Sequence, residues 1–216
     1  MTLVAASLWS VPPAERPLLA DRLAAAGLRR WHWDVSDGDF AAPGGFTPDE
    51  AAEIATRTGV PGEAHLMVTD PADRVAAWAA VCERVIVHVE ATGWRAALDR
   101  VVALGATPGI ALSPDTPAVL PAGLPAGTVV LLMSITPGRA GAAFRPDTLA
   151  RLDALRSAAH PGLAASPAAT RGELGVDGGV TPALARSCTA HGADWVVSGG
   201  SLCTAADPRA WLDSVQ

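Results

Sequence analysis

With 216 residues, half of them hydrophobic, the chain is long enough to bury one substantial core. Its 16 basic and 22 acidic side chains leave a net charge of -6, which argues against general attraction to nucleic acid or an anionic membrane and points to a small-molecule partner. All 16 cationic side chains are arginines, and the absence of lysine excludes a Schiff base, a pyridoxal-phosphate linkage and a P-loop.

Apolar, strand-like runs alternate with Ala/Leu/Arg stretches of helical period along the chain. The first strand is predicted over 3–8. Its N-terminal segment has no basic region and meets Pro12 and Pro13, so it reads as neither signal peptide nor membrane span, and a cytoplasmic protein is expected. There follow a helix over 14–26, a strand over 31–35, a helix over 48–57, a strand over 62–66, a helix over 71–81, a strand over 84–89, a helix over 95–104 and a strand over 107–112. The next connection, around 118–124, is too short and proline-rich for a full helix. A strand over 129–133 and a helix over 146–157 lead into an Ala/Pro/Ser-rich loop, 158–172, then a strand over 173–176, a helix over 182–191, a strand over 195–198 and a helix over 208–214. Thr47-Pro48, Asp70-Pro71, Thr181-Pro182 and Asp207-Pro208 each pair an N-cap with proline at the first helical position.

Eight strand-helix units predict a single (β/α)8 TIM barrel domain over 1–216. The absence of GxGxxG after the first strand argues against a doubly wound dinucleotide-binding sheet. Cys82, Cys188 and Cys203 are odd in number and unpaired by spacing, and read as packing residues. Oligomeric state is not legible. Trp78, Trp94 and Trp211 are either an apolar patch or ordinary helix packing, with packing favoured.

In a barrel the C-terminal ends of the strands share one mouth, and polar residues recur there. Ser7 ends the first strand, His32 and Asp34 lie on the second, His65 is near the end of the third, His88 and Glu90 close the fourth, Met133 ends the sixth and Asp177 follows the seventh. His32 and Asp34, two apart, point to one face. With His65 and Asp177 they form a ligand set suited to Zn²⁺, Fe²⁺, Mn²⁺ or Co²⁺. His88 and Glu90 read equally as groups orienting that set and as a structural pair. His160, in the loop, and His191, at a helix end, are given no function. Glycines Gly138 and Gly141, Gly178 and Gly179, and Gly199 and Gly200 follow the last three strands and suit a phosphate held by backbone N–H groups.

These residues resemble the ribulose-phosphate 3-epimerase family across essentially the whole chain. The matching segments are Ser7-Leu8-Trp9-Ser10, His32-Trp33-Asp34-Val35-Ser36-Asp37-Gly38, His65-Leu66-Met67-Val68, His88-Val89-Glu90-Ala91, Met133-Ser134-Ile135-Thr136-Pro137-Gly138, Val176-Asp177-Gly178-Gly179 and Ser198-Gly199-Gly200. The resemblance implies a ribulose-phosphate-binding barrel, one divalent metal (Zn²⁺ foremost; Fe²⁺, Mn²⁺ or Co²⁺ otherwise) on His32, Asp34, His65 and Asp177, and Asp34 and Asp177 as the two acid/base groups of a pentose-phosphate epimerase. It also implies substrate contacts from Ser7, His65, Met67 and Met133, and a phosphate grip from Gly138, Gly141, Gly178, Gly179, Gly199 and Gly200, with Arg139 and Ser201 nearby.

The departures fall around the substrate. The family usually has methionine at Ser36, a Val-Pro-Asn-type loop at 41–45, an Asn-Pro-Gly-Phe-Gly-Gly-Gln loop at 136–142 and a Gly-Ser pair at Gly199-Gly200. The expected activity is interconversion of D-ribulose 5-phosphate and D-xylulose 5-phosphate. The competing readings are a specialised relative acting on another sugar or carbonyl compound in a biosynthetic pathway, a metal-dependent aldolase, and a non-catalytic barrel. Loops 41–46 and 139–144 are the candidate lids.

Overall fold

Eight parallel strands close on themselves in the computed structural model, which describes residues 2–157 and 172–215. They are β1 (Leu3–Ser7), β2 (Arg30–Ser36), β3 (Gly62–Met67), β4 (Arg84–His88), β5 (Thr107–Leu112), β6 (Val129–Met133), β7 (Leu174–Asp177) and β8 (Trp195–Ser198). Each pairs with its sequence neighbour, and β1 pairs with both β2 and β8, closing the ring. This is the predicted TIM barrel. The helices are α1 (Arg16–Ala25), α2 (Pro48–Thr58), α3 (Val75–Ala79), α4 (Trp94–Ala103), α5 (Asp147–Ser157), α6 (Pro182–Ala190), α7 (Gly200–Cys203) and α8 (Pro208–Asp213). No helix of the described residues is long and apolar enough to cross a membrane. The loop expected over 158–172, and His160 within it, fall almost wholly outside the described residues.

Local chemistry sets the helix starts. Thr47 accepts from the Glu50 N–H while the Glu50 carboxylate accepts from the Thr47 N–H, a complete capping box with Pro48 at the first position. Thr181 and Asp207 cap α6 and α8 one-sidedly, accepting from the N–H groups of Leu184 and Ala210. Asp70 departs from the pattern: its carboxylate accepts from the Ala72 N–H, forming a turn, and α3 begins only at Val75 instead of the expected 71. The connection between β5 and β6 is non-helical, as its prolines suggest.

Strand alternation divides the core in two. Trp31, Trp33, Val35, Ala64, Leu66, Val85, Val87 and Val196 face outward into the layer beneath the helices. Ala5, Ile86, Ala111, Val129, Leu131, Met133, Trp195 and Val197 fill the barrel interior. Trp195 fits only because Gly175 opposite has no side chain: a Cβ there would sit 2.2 Å from the indole. Replacing Trp195 by alanine would cost about 3–5 kcal/mol. Trp78 and Trp211 are buried and Trp94 packs partly buried against the outer layer, so the tryptophans are packing residues. The three cysteines are free and buried.

Candidate metal centre and cavity

The two-residue strand period that buries Trp31, Trp33 and Val35 outward turns His32 and Asp34 inward, and on β3 it does the same for Glu63, His65 and Met67. The β2–β3 register places His32 beside Glu63 and Asp34 beside His65, while Asp177 enters from the end of β7. One ligand atom from each of His32, Asp34, His65 and Asp177 lies within 4.8 Å of the others. His32 Nε2 is 3.2 Å from His65 Nδ1 and 3.4 Å from Asp34 Oδ1, and His65 Nδ1 is 3.1 Å from the same oxygen. Asp177 Oδ2 stands 3.9 and 3.8 Å from the two imidazoles.

Three of the four side chains are held from behind. His32 Nδ1 lies 2.8 Å from Glu63 Oε1. His65 Nε2 lies 2.9 Å from His88 Nε2, and His88 Nδ1 lies 3.0 Å from Glu90, which also accepts from Ser113 and Thr116. The Ser7 hydroxyl donates to Asp34 Oδ2 at 2.6 Å. His88 and Glu90 therefore back a member of the cluster and are not a detached structural pair.

Burial and charge push the two aspartates apart. Burial favours a neutral Asp34, but the imidazoles of His32 and His65 outweigh it and hold that carboxyl far below the usual range. Asp177 moves upward, through burial and the negative charges of Asp34 and Glu63, against the pull of His32. Burial alone would lower His32, yet the surrounding carboxylates raise it above the ordinary imidazole value. His88 is pushed down to about 4, chiefly by burial. Two carboxyls displaced in opposite directions within a small space are the arrangement that acid/base chemistry needs.

A cavity of about 460 Å³ opens beside the cluster. Asp34, Asp177, Ser7, Met67 and Met133 line one part of it. Gly138, Arg139, Gly141, Gly178, Gly179, Gly199, Gly200 and Ser201 also line it, and Arg139 is the only cation among the described lining residues. His65 is fully buried in the ligand cluster and is not among the residues that line the cavity. Gly178 needs to be glycine, since at φ 113° a Cβ would come 2.5 Å from Ile135.

The Ser36 hydroxyl donates to the Ala41 carbonyl at 2.7 Å, folding that loop back. Gly44–Gly45 then adds a short antiparallel strand to β2, a pairing the glycines hide from sequence reading. No residue of 36–46 lines the cavity, whereas Arg139, Ala140, Gly141 and Ala142 do, and the two loops touch at Gly138 and Ala41. His191 pairs with Asp153 at 2.9 Å. Sequence reasoning missed Glu63, although its place two residues before His65 on a strand was a usable signal. It also missed Thr181, Ile135 and Val180 in the cavity wall.

A model of the ribulose-phosphate 3 epimerase family matches residues 3–203. Ribulose-phosphate 3-epimerase of Chlamydia muridarum is 34% identical over 204 residues, spanning 91% of this chain and 86% of that protein. The cytoplasmic isoform from Oryza sativa is 30% identical over 212 residues, spanning 95% and 89%. Among solved structures, 3-hexulose-6-phosphate synthase from Salmonella typhimurium superposes with a TM-score of 0.71 at 15% identity, covering 99% of this chain and 96% of that one. That likeness shows the fold alone.

Proposed function

Because the chain belongs to the ribulose-phosphate 3-epimerase family, we propose that it interconverts D-ribulose 5-phosphate and D-xylulose 5-phosphate, with Asp34 and Asp177 as the two acid/base groups. The observation that carries this reading is the pair of carboxyls facing one cavity from β2 and β7, displaced in opposite directions in proton affinity. The carboxylate that begins ionised takes the proton from the carbon next to the ketone. The carboxyl that begins protonated delivers one to the opposite face, giving the epimer through an enediolate. Ser7 fixes the Asp34 carboxylate for that transfer, and Met67 and Met133 keep water from the reacting carbon.

The donor set fits one divalent cation. Two imidazole nitrogens face each other at 3.2 Å with carboxylate oxygens around them, so four N and O donor atoms converge on one point as a divalent cation requires. His32, Asp34, His65 and Asp177 would hold it, with Zn²⁺ first among Zn²⁺, Fe²⁺, Mn²⁺ and Co²⁺. Bound there, it supplies the Lewis acidity that stabilises negative charge on the ketone oxygen. At the other end, Gly178, Gly179, Gly199, Gly200 and Ser201 supply backbone N–H groups and a hydroxyl to the phosphate, and the Arg139 guanidinium complements its charge.

The test is epimerisation of D-ribulose 5-phosphate by metal-stripped protein, resupplied with each cation in turn and compared with Asp177→Asn. Metal-dependent xylulose 5-phosphate formation that the variant loses supports the assignment. Turnover of another ketose phosphate alone would keep the chemistry and change the substrate, and failure with all of them would reject the reading.

A further inference from the structure

Building on the metal reading above, we infer that Glu63 is the positioning residue that makes His32 a metal ligand, by holding its imidazole with Nδ1 protonated and Nε2 bare. Glu63 is fully buried, and its Oε1 lies 2.8 Å from His32 Nδ1, on the side of the ring away from the cluster. Its other close partners are donors: Arg84 at 3.1 Å and the Trp195 indole N–H at 3.2 Å, with Arg30 at 3.7 Å. Arg84 is itself tied to Glu173 at 2.5 Å and stacks over Trp195, so the arrangement beneath His32 is stiff.

A carboxylate so placed can only accept. A bare Nδ1 facing it would set lone pair against lone pair at hydrogen-bond distance, so the proton resides on Nδ1 and Nε2 is left for the cation. The β2–β3 register makes His32 and Glu63 strand neighbours, so the pairing is built into the sheet. The second imidazole is backed differently. His65 Nε2 meets the neutral ring of His88 at 2.9 Å, and the Glu90 charge stands one imidazole further away. On the ring sides facing away from the cluster, carboxylate charge thus reaches His32 directly and His65 only through an intermediary.

The test is titration of metal-free wild type, Glu63→Gln and Glu90→Gln with Co²⁺, followed by visible absorption, together with ¹⁵N-histidine NMR of wild type. Glutamine keeps an acceptor for His32 and removes the charge. The expected result is a Co²⁺ dissociation constant raised about 10–100-fold in Glu63→Gln, less in Glu90→Gln, with His32 protonated on Nδ1 in the metal-bound wild type. Unchanged Co²⁺ affinity and spectrum in a folded Glu63→Gln would overturn the inference, as would a His32 proton on Nε2. If Glu63→Gln does not fold, the NMR of wild type decides. Wild type that takes up no Co²⁺ would sink the metal reading, a result distinct from a loss confined to the variant.

Discussion

The two ends of the cavity are built on different principles. At the carboxylate end, three of the four cluster side chains are fixed by a second group: Asp34 by Ser7, His32 by Glu63, His65 by His88. At the glycine end the wall is largely backbone, and the one cationic side chain, Arg139, lies on an exposed loop. Reacting atoms need placement to a fraction of an ångström, and a rigid barrel interior gives it. A dianionic group is held by any set of well-aimed donors, so the sequence there is free to vary. The chain keeps the family residues at the first end and departs from them at the second.

The largest expected effect follows from breaking the fixed end. Asp34→Asn removes a proposed ligand, an acid/base group and the acceptor of the Ser7 hydrogen bond together. Turnover of ribulose 5-phosphate should fall by about 10³-fold or more, while circular dichroism still reports a folded barrel. A variant retaining a tenth of wild-type turnover would show that Asp34 moves no proton.

Arg139→Gln tests the variable end. Loss of one charge-assisted contact should raise KM about 10–100-fold and leave kcat within a few-fold. A change in kcat with KM intact would put Arg139 near the reacting carbon and reverse the orientation of the substrate. The pH dependence of Zn²⁺ uptake sharpens the same contrast. The raised proton affinities of His32 and Asp177 mean that below their pKa values the cation must displace a proton from each. Affinity should therefore fall at least about tenfold per unit as pH drops through that region and level off above it. Calorimetry in buffers of different ionisation enthalpy would count the released protons, and an affinity flat from about pH 5 to 8 would contradict the assignment.

How much was legible in advance divides along the same line. His32 and Asp34 could be read because a strand repeats every two residues, and the eight strands because each is a short apolar run between helical stretches. Glu63 shares the face of His65 by the same period, but the period does not say that its carboxylate turns to His32 on the neighbouring strand. The partnership of His65 and His88 depended on which way each imidazole turns toward the neighbouring strand, which sequence does not encode. α7, only Gly200–Cys203, is too short to show a helical period, and Asp70-Pro71 looked like a helix cap because a turn and a cap use the same residues.

The smallest effect tests whether the glycine end has spare capacity. A Cβ at Gly200 meets nothing within 4 Å, and the residue lines the cavity at the start of α7. Gly200→Ser should therefore fold as wild type and add one hydroxyl donor where the family usually carries one. A net contribution of about 1 kcal/mol would lower KM about fivefold with kcat and Zn²⁺ affinity unchanged. Gly178→Ala, whose new Cβ would sit 2.5 Å from Ile135, should act in the opposite sense, raising KM and lowering the melting temperature. If Gly200→Ser left KM unchanged while Arg139→Gln raised it, the phosphate would lie on the β6 loop and not between the β7 and β8 loops, and the loss of the hydroxyl at position 200 would follow from the gain of the arginine at 139.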